Sequence, residues 1–116
     1  ELHQLMPILL NIQSAGHKVA LITDGRMSGA SGSVPAAIHM VPEAADEGLI
    51  GLIQTGDMIT LNALDGSLYI EVDSAVFKTR EYEHSITGRK SVGRQLFQND
   101  RKIVSNAEKG ASTLFD

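Results

Sequence analysis

Most of the side chains able to do chemistry gather in one stretch, Thr23-Asp24-Gly25-Arg26-Met27-Ser28-Gly29-Ala30-Ser31-Gly32. Gly25, Gly29 and Gly32 are interleaved there with an acid, an arginine and two serines. Glycine tolerates positive φ and lets a ligand approach closely, so such a loop can present backbone N–H groups beside hydroxyls. Two kinds of chemistry are open to it: binding of an anion, and proton transfer by a serine. A serine hydroxyl is a very poor base unless cationic charge or oriented donors stabilise its alkoxide, and Arg26 is a candidate for that charge. Arg26 either grips a substrate carboxylate or pairs with Asp24. A tight turn that merely needs glycine is the plain alternative, but two hydroxyls and a charged pair in the same loop favour a site.

The elements that must position this loop come next. The apolar run Val19-Ala20-Leu21-Ile22 before it predicts a buried strand, since neither face carries a polar residue. Leu2, Leu5, Met6, Leu9 and Ile12 form a helical stripe that Pro7 interrupts, which predicts a continuous helix from near Pro7 to before Gly16. Ala36 to Val41 reads as a second strand, and Pro42-Glu43-Ala44-Ala45 as a short helix start ended by Gly48. Leu52-Ile53, Ile59 to Ala63 and Leu68 to Val72 read as three strands of a meander, separated by turns at Gly56-Asp57 and Asp65-Gly66. Asp73 or Ser74 caps a brief helix through Arg80, Glu81 to Ser91 reads as an exposed loop, and Leu96, Phe97, Ile103, Val104 and Ala107 predict one helix over 93–109. Strands and helices mix without strict alternation, giving a mixed α/β class in a single domain over 1–116.

Composition narrows the function. The 116 residues are 42% apolar and 21% charged, an ordinary globular balance. The formal net charge of −4 excludes non-specific nucleic-acid binding, and no apolar run reaches membrane-span length. With no cysteine there is neither disulfide nor thiolate catalysis, which fits a cytoplasmic protein. The glycine loop lacks the Gly-Lys-Ser/Thr ending of a phosphate loop, the spacing of a dinucleotide fingerprint and the Gly-x-Ser-x-Gly of a hydrolase elbow. No histidine or acidic cluster has metal-ligand spacing, so no metal site is expected within the chain. His3 and His17 read as surface or capping residues, and His39 as a core or boundary residue of the second strand.

DGRMSGASG, followed by Val34-Pro35-Ala36-Ala37-Ile38-His39 and Pro42-Glu43-Ala44, resembles the C-terminal part of the dihydroxy-acid dehydratase and 6-phosphogluconate dehydratase family. RMSGASG with PAAIH looks like the 6-phosphogluconate branch, and the likeness continues through Gly56-Asp57, Gly93-Arg94-Gln95-Leu96-Phe97 and Ala107-Glu108-Lys109-Gly110-Ala111-Ser112. The resemblance implies a small swivelling-type β-barrel flanked by helices, forming the C-terminal domain of a longer dehydratase. The start on Glu1-Leu2-His3, inside what the family carries as a longer motif, leads to the same expectation. It also implies dehydration of a phosphorylated sugar acid on the Entner–Doudoroff route. Dehydration of another sugar acid or a dihydroxy acid, and a non-catalytic stand-alone domain, are the alternatives. Matched position by position, Ser28 is the catalytic base, and Arg26, Gly29 and Ser31 are substrate contacts. Ser33 departs from the branch, in which lysine is common, and no phosphate ligand is assigned. An iron–sulfur cluster, of the 4Fe-4S type, is implied for the enzyme; without cysteine here it falls to an N-terminal portion, with a divalent cation as a further candidate cofactor. The expected partners are that N-terminal portion, the small-molecule substrate and a second copy in a homo-oligomer.

Overall fold

A computed structural model describes residues 2–27, 32–82 and 91–114. The amphipathic start folds as anticipated: a 3-10 turn over Leu2–Leu5 runs into helix α1, Met6–Ser14, with Pro7 in its first turn. Proline is harmless there, because the first-turn N–H groups have no intrahelical partner. Gly16, at φ 94°, ends the turn that follows the helix. The chain then enters strand β1, Leu21–Ile22, which pairs in parallel with β2, Ala36–Ala37, in the register Leu21 to Ala36 and Ile22 to Ala37. Met6 of α1, Met27 and Val34 bury together, and Leu9, Leu10, Val19, Leu21 and Ile38 pack around them.

The second sheet is the hairpin of β3, Ile59–Asn62, and β4, Ser67–Ile70, antiparallel with Ile59 opposite Ile70 and Asn62 opposite Ser67. Its turn is closed locally. Asp65 Oδ1 accepts from the Ser67 backbone N–H at 2.9 Å and its hydroxyl at 2.5 Å, and Gly66 takes φ 72°. These bonds, the Ser67 hydroxyl first, hold the Asp65 carboxyl below its ordinary range.

Three expectations need correction. No closed barrel forms among the described residues: the two sheets have two strands each and share no strand pairing. The expected strand at Leu52-Ile53 is instead the end of a 3-10 turn, Leu49–Leu52. Glycines at 48 and 51 allow the chain to coil there, with Gly51 N–H donating to Gly48 O at 2.9 Å, and coiling leaves no third strand for a meander. The expected helix over 93–109 is broken into α3, Val92–Leu96, α4, Asp100–Ile103, and a 3-10 turn, Ala107–Lys109. Asn106 causes the last break, since its side chain accepts from the Lys109 N–H at 3.0 Å and restarts the chain as a capped turn. Of the expected apolar stripe, Leu96, at 72%, and Phe97, Ile103 and Val104 are exposed, and Ala107 is half-buried. Of the expected loop from Glu81 to Ser91, residues 83–90 lie outside the described residues. No helix among the described residues is long and apolar enough to cross a membrane.

A charged clamp ties the turn ahead of the hairpin to the chain just past the short helix α2, Ser74–Phe77, whose first turn is capped by Asp73 Oδ1 accepting from the Ala75 N–H at 2.7 Å. Arg80 donates to both oxygens of Asp57 at 2.6 and 2.8 Å and to Leu52 O at 2.9 Å, with its guanidinium 5.2 Å from the Phe77 ring centre. Both charged side chains are largely covered, at 12% and 9% exposure. The Arg80 hydrogen bonds, and secondarily the Gln54 N–H, lower the Asp57 carboxyl from 3.8 to about 2. A carboxyl depressed on folding contributes stability that is complete above its unfolded value and lost as pH falls through the folded one. Asp57→Asn is therefore expected to lower the denaturation midpoint at neutral pH. The gap from the parent protein should close between pH 3.8 and about 2. Denaturant titrations of both proteins across that range check it, and a gap independent of pH would contradict it.

Candidate active-site loop and adjoining cleft

Beyond Ile22 the pairing of β1 continues irregularly. Thr23 N–H donates to Ala37 O at 2.9 Å, Met40 N–H to Thr23 O at 3.2 Å, and His39 N–H to Gly25 O at 3.2 Å. The first half of the glycine loop is thus stitched to the segment that leaves β2. Thr23 Oγ1 also accepts from the Gly25 N–H at 2.9 Å, a local turn in which hydroxyl replaces carbonyl. A Cβ at Gly25 would lie 2.7 Å from Leu2 Cδ1, so any larger residue there requires the Leu2 side chain to shift.

Asp24 has its own task. Its Oδ2 accepts from the Ala44 N–H at 2.8 Å, satisfying a donor at the start of the 3-10 turn Ala44–Asp46. The sequence left two roles open for Arg26, and this bond bears on them. Among the described residues Asp24 and Arg26 form no ion pair, the recorded pair being Asp57–Arg80. Arg26 is exposed.

The next residue, Met27, turns inward and is 9% exposed, and on the far side of the loop Val34 is 2% exposed in the same apolar cluster. Gln13 Nε2 of α1 donates to Ser33 O at 2.8 Å, a further tie on the far side. The loop therefore leaves the core at Met27 and re-enters it at Val34. Met27 and Val34 are thus fixed anchors on either side of the glycine-rich stretch. Neither the Gln13 tie nor the twin anchors was anticipated. The signal available was the pair of apolar residues, Met27 and Val34, flanking an otherwise polar and small-residue stretch.

Of the site residues expected from the sequence, Arg26 is described; Ser28, Gly29 and Ser31 lie outside the described residues. His39 is not the core or boundary residue of a strand that was expected. It is exposed, in a bend past β2, and takes φ 55°, because its backbone is recruited to Gly25 O. His3 and His17 are exposed, in agreement with a surface reading.

Arg26 lines a polar cleft of about 430 Å³ together with Glu43, Asp46, Arg101, Ser105 and Asn106. The cleft joins Arg26 to the turn held by Asp24, to α4 through Arg101, and to the Val104–Asn106 segment that follows it. Chemically it offers two guanidinium groups for anions and two carboxylates able to accept from hydroxyls. Arg101 carries no sequence signal of its own, since it lies 75 residues beyond Arg26 on a short exposed helix.

Residues 1–111 match the dihydroxy-acid/6-phosphogluconate dehydratase C-terminal family. The chain belongs to this family. The resemblance carried by the RMSGASG and PAAIH wording is thereby borne out. The chain is 45% identical over 99% of its length to a phosphogluconate dehydratase of Rhizobium meliloti (strain 1021), and 46% identical over 98% to one of Pseudomonas aeruginosa. It spans 19% of the length of each. A dihydroxy-acid dehydratase of Wolinella succinogenes is 41% identical over 83% of the chain, which covers 17% of that protein. Members of the family are thus similar to this chain across both branch names, with the phosphogluconate dehydratases matched over the fuller extent.

Proposed function

We propose that the protein carrying this chain is a hydro-lyase that dehydrates 6-phosphogluconate to 2-dehydro-3-deoxy-6-phosphogluconate. The chain supplies the loop that works at the carboxylate end of the substrate. In this reaction the C2 proton is removed and the C3 hydroxyl departs with a proton as water. The resulting enol takes up a solvent proton at C3 as its C2 hydroxyl becomes the keto group. Arg26 binds the substrate carboxylate, and Ser28, two residues on, is the base for C2, with Gly29 and Ser31 contacting the substrate. A carboxylate held by a guanidinium makes the neighbouring C–H more acidic, because charge developing in the enolate is offset by the cation.

The observation that carries this reading is the state of Arg26. Its sequence neighbour Asp24 is committed to the Ala44 N–H, and the guanidinium stands exposed at a polar cleft beside the pinned loop. An arginine serving only the fold would be expected to resemble Arg80, covered and held by a carboxylate. The names of the phosphogluconate dehydratases matched over 98–99% of the chain support the substrate. A dihydroxy acid is the second reading, favoured by the Wolinella relative. Turnover of both acids by the full-length enzyme separates the two.

The residues present do not fit an iron–sulfur cluster. The chain has no cysteine to donate a thiolate, and among the described residues no group of three or more His, Asp or Glu is gathered for a metal ion. The cluster and any divalent cation belong, in this proposal, to the rest of the enzyme, and no step is assigned to them here. That the chain spans 19% of the length of the phosphogluconate dehydratases it matches supports a large remaining portion against which this domain works.

The test is Arg26→Lys in the full-length enzyme. Lysine retains the charge but cannot form the two-pronged bond to a carboxylate, so KM should rise about tenfold or more while kcat changes less. Unchanged KM would remove Arg26 from the substrate.

A further inference from the structure

The cleft holds a second guanidinium that the carboxylate does not use. We infer that Arg101 reads the phosphate of the substrate, an inference that rests on the function proposed above. Arg101 and Arg26 line the same cleft from opposite ends of the chain, and among the described residues neither forms an ion pair. The Ser105 hydroxyl is already engaged, donating to Lys109 O at 3.4 Å and accepting from the Ser112 N–H at 3.0 Å. Asn106 spends its side-chain oxygen on the Lys109 N–H, which leaves its amide N–H groups as donors beside Arg101.

The remaining lining decides the class of ligand. Glu43 and Asp46 weaken the hold on a lone inorganic anion without excluding it, and they suit a molecule with hydroxyls to donate. A ligand with two anionic ends and a polyhydroxy middle matches two guanidiniums and two carboxylates together. A branched aliphatic dihydroxy acid has one anionic end and would leave Arg101 without a partner. Arg101 is thus the residue in this domain that favours a phosphorylated acid, and the cleft volume of about 430 Å³ is of the size that small-molecule sites occupy.

The experiment uses the full-length enzyme, with kcat and KM for 6-phosphogluconate and competitive inhibition constants for gluconate and inorganic phosphate. In Arg101→Ala, KM and the phosphate inhibition constant should each rise about tenfold to a hundredfold, the effect of losing charge-assisted bonds to an anion. The gluconate constant, which reports the carboxylate end and the integrity of the cleft, should move less than about twofold, since its Arg26 contact is retained. Arg101→Lys keeps a point charge and should fall between the two. Unchanged KM in Arg101→Ala would overturn the inference while leaving the proposed function standing. So would an equal rise for gluconate and 6-phosphogluconate, because Arg101 would then shape the cleft without reading phosphate. A parent enzyme that fails to turn over 6-phosphogluconate would instead overturn the proposed function, and this inference with it.

Discussion

Ser28→Ala in the full-length enzyme is expected to lower kcat for 6-phosphogluconate by about 10²- to 10⁴-fold, the range for loss of a positioned base. KM should change little, because a single hydroxyl adds little to binding before the proton moves. The expectation follows from the loop's construction. Met27 and Val34 are buried in one cluster with Met6, and Gln13 holds Ser33 O. Ser28 follows the buried Met27 directly in sequence, two residues after the exposed Arg26. A serine alkoxide needs cationic help, and Arg26 is the nearest cation in sequence. Ser31→Ala should be milder if that hydroxyl only contacts the substrate. Steady-state kinetics on both variants separate the roles, and comparable losses in both would mean the loop acts as a unit.

The second large effect concerns folding. Gly48→Ala should destabilise the domain by more than about 4 kcal/mol, a size reached only when a substitution meets a rigid obstacle. Gly48 is buried, and its backbone, at φ −66° and ψ 150°, suits any residue, so the obstacle is space rather than conformation. A Cβ there would fall onto the Pro42 carbonyl oxygen and within 2.8 Å of Glu43 O. Both are backbone atoms, which cannot swing aside as a side chain does. Gly51→Ala offers the contrast. Its Cβ would lie 2.9 Å from Tyr82 Cδ1 and 3.1 Å from Ala44 Cβ, and Tyr82 can shift, so about 1–3 kcal/mol is expected. Thermal or denaturant unfolding of the two variants tests the difference. The same turn carries Glu43 and Asp46 into the cleft and receives Asp24 at Ala44, so Gly48→Ala should also impair activity.

These features were legible in the sequence to different degrees, for physical reasons. The hairpin could be read because Asp65-Gly66 closes it with bonds made within a few residues. Helix α1 and the Asp73 cap were readable on the same ground, since proline, glycine and aspartate act on their immediate neighbours. The C-terminal stripe misled because helical spacing of apolar residues says nothing about Asn106 restarting the chain, nor about whether anything covers the stripe. The strand expected at Leu52-Ile53 failed because glycines nearby decided the local path against the β-branched residue. As for the site, composition marked the glycine loop and Arg26. It could not reveal Asp24 turning to Ala44 or Arg101 lining the same cleft, since both depend on contacts between distant parts of the chain.

The central claim is that this loop removes the C2 proton of a phosphorylated sugar acid. Proton NMR of 6-phosphogluconate in heavy water follows that proton directly in the presence of the full-length enzyme and its Ser28→Ala variant. With the parent enzyme the C2 proton should vanish as the 2-keto-3-deoxy acid forms, carrying one solvent deuterium at C3. With Ser28→Ala the C2 signal should persist on the same timescale. Loss of the C2 proton at the parent rate in Ser28→Ala would contradict the account and assign the base to another residue.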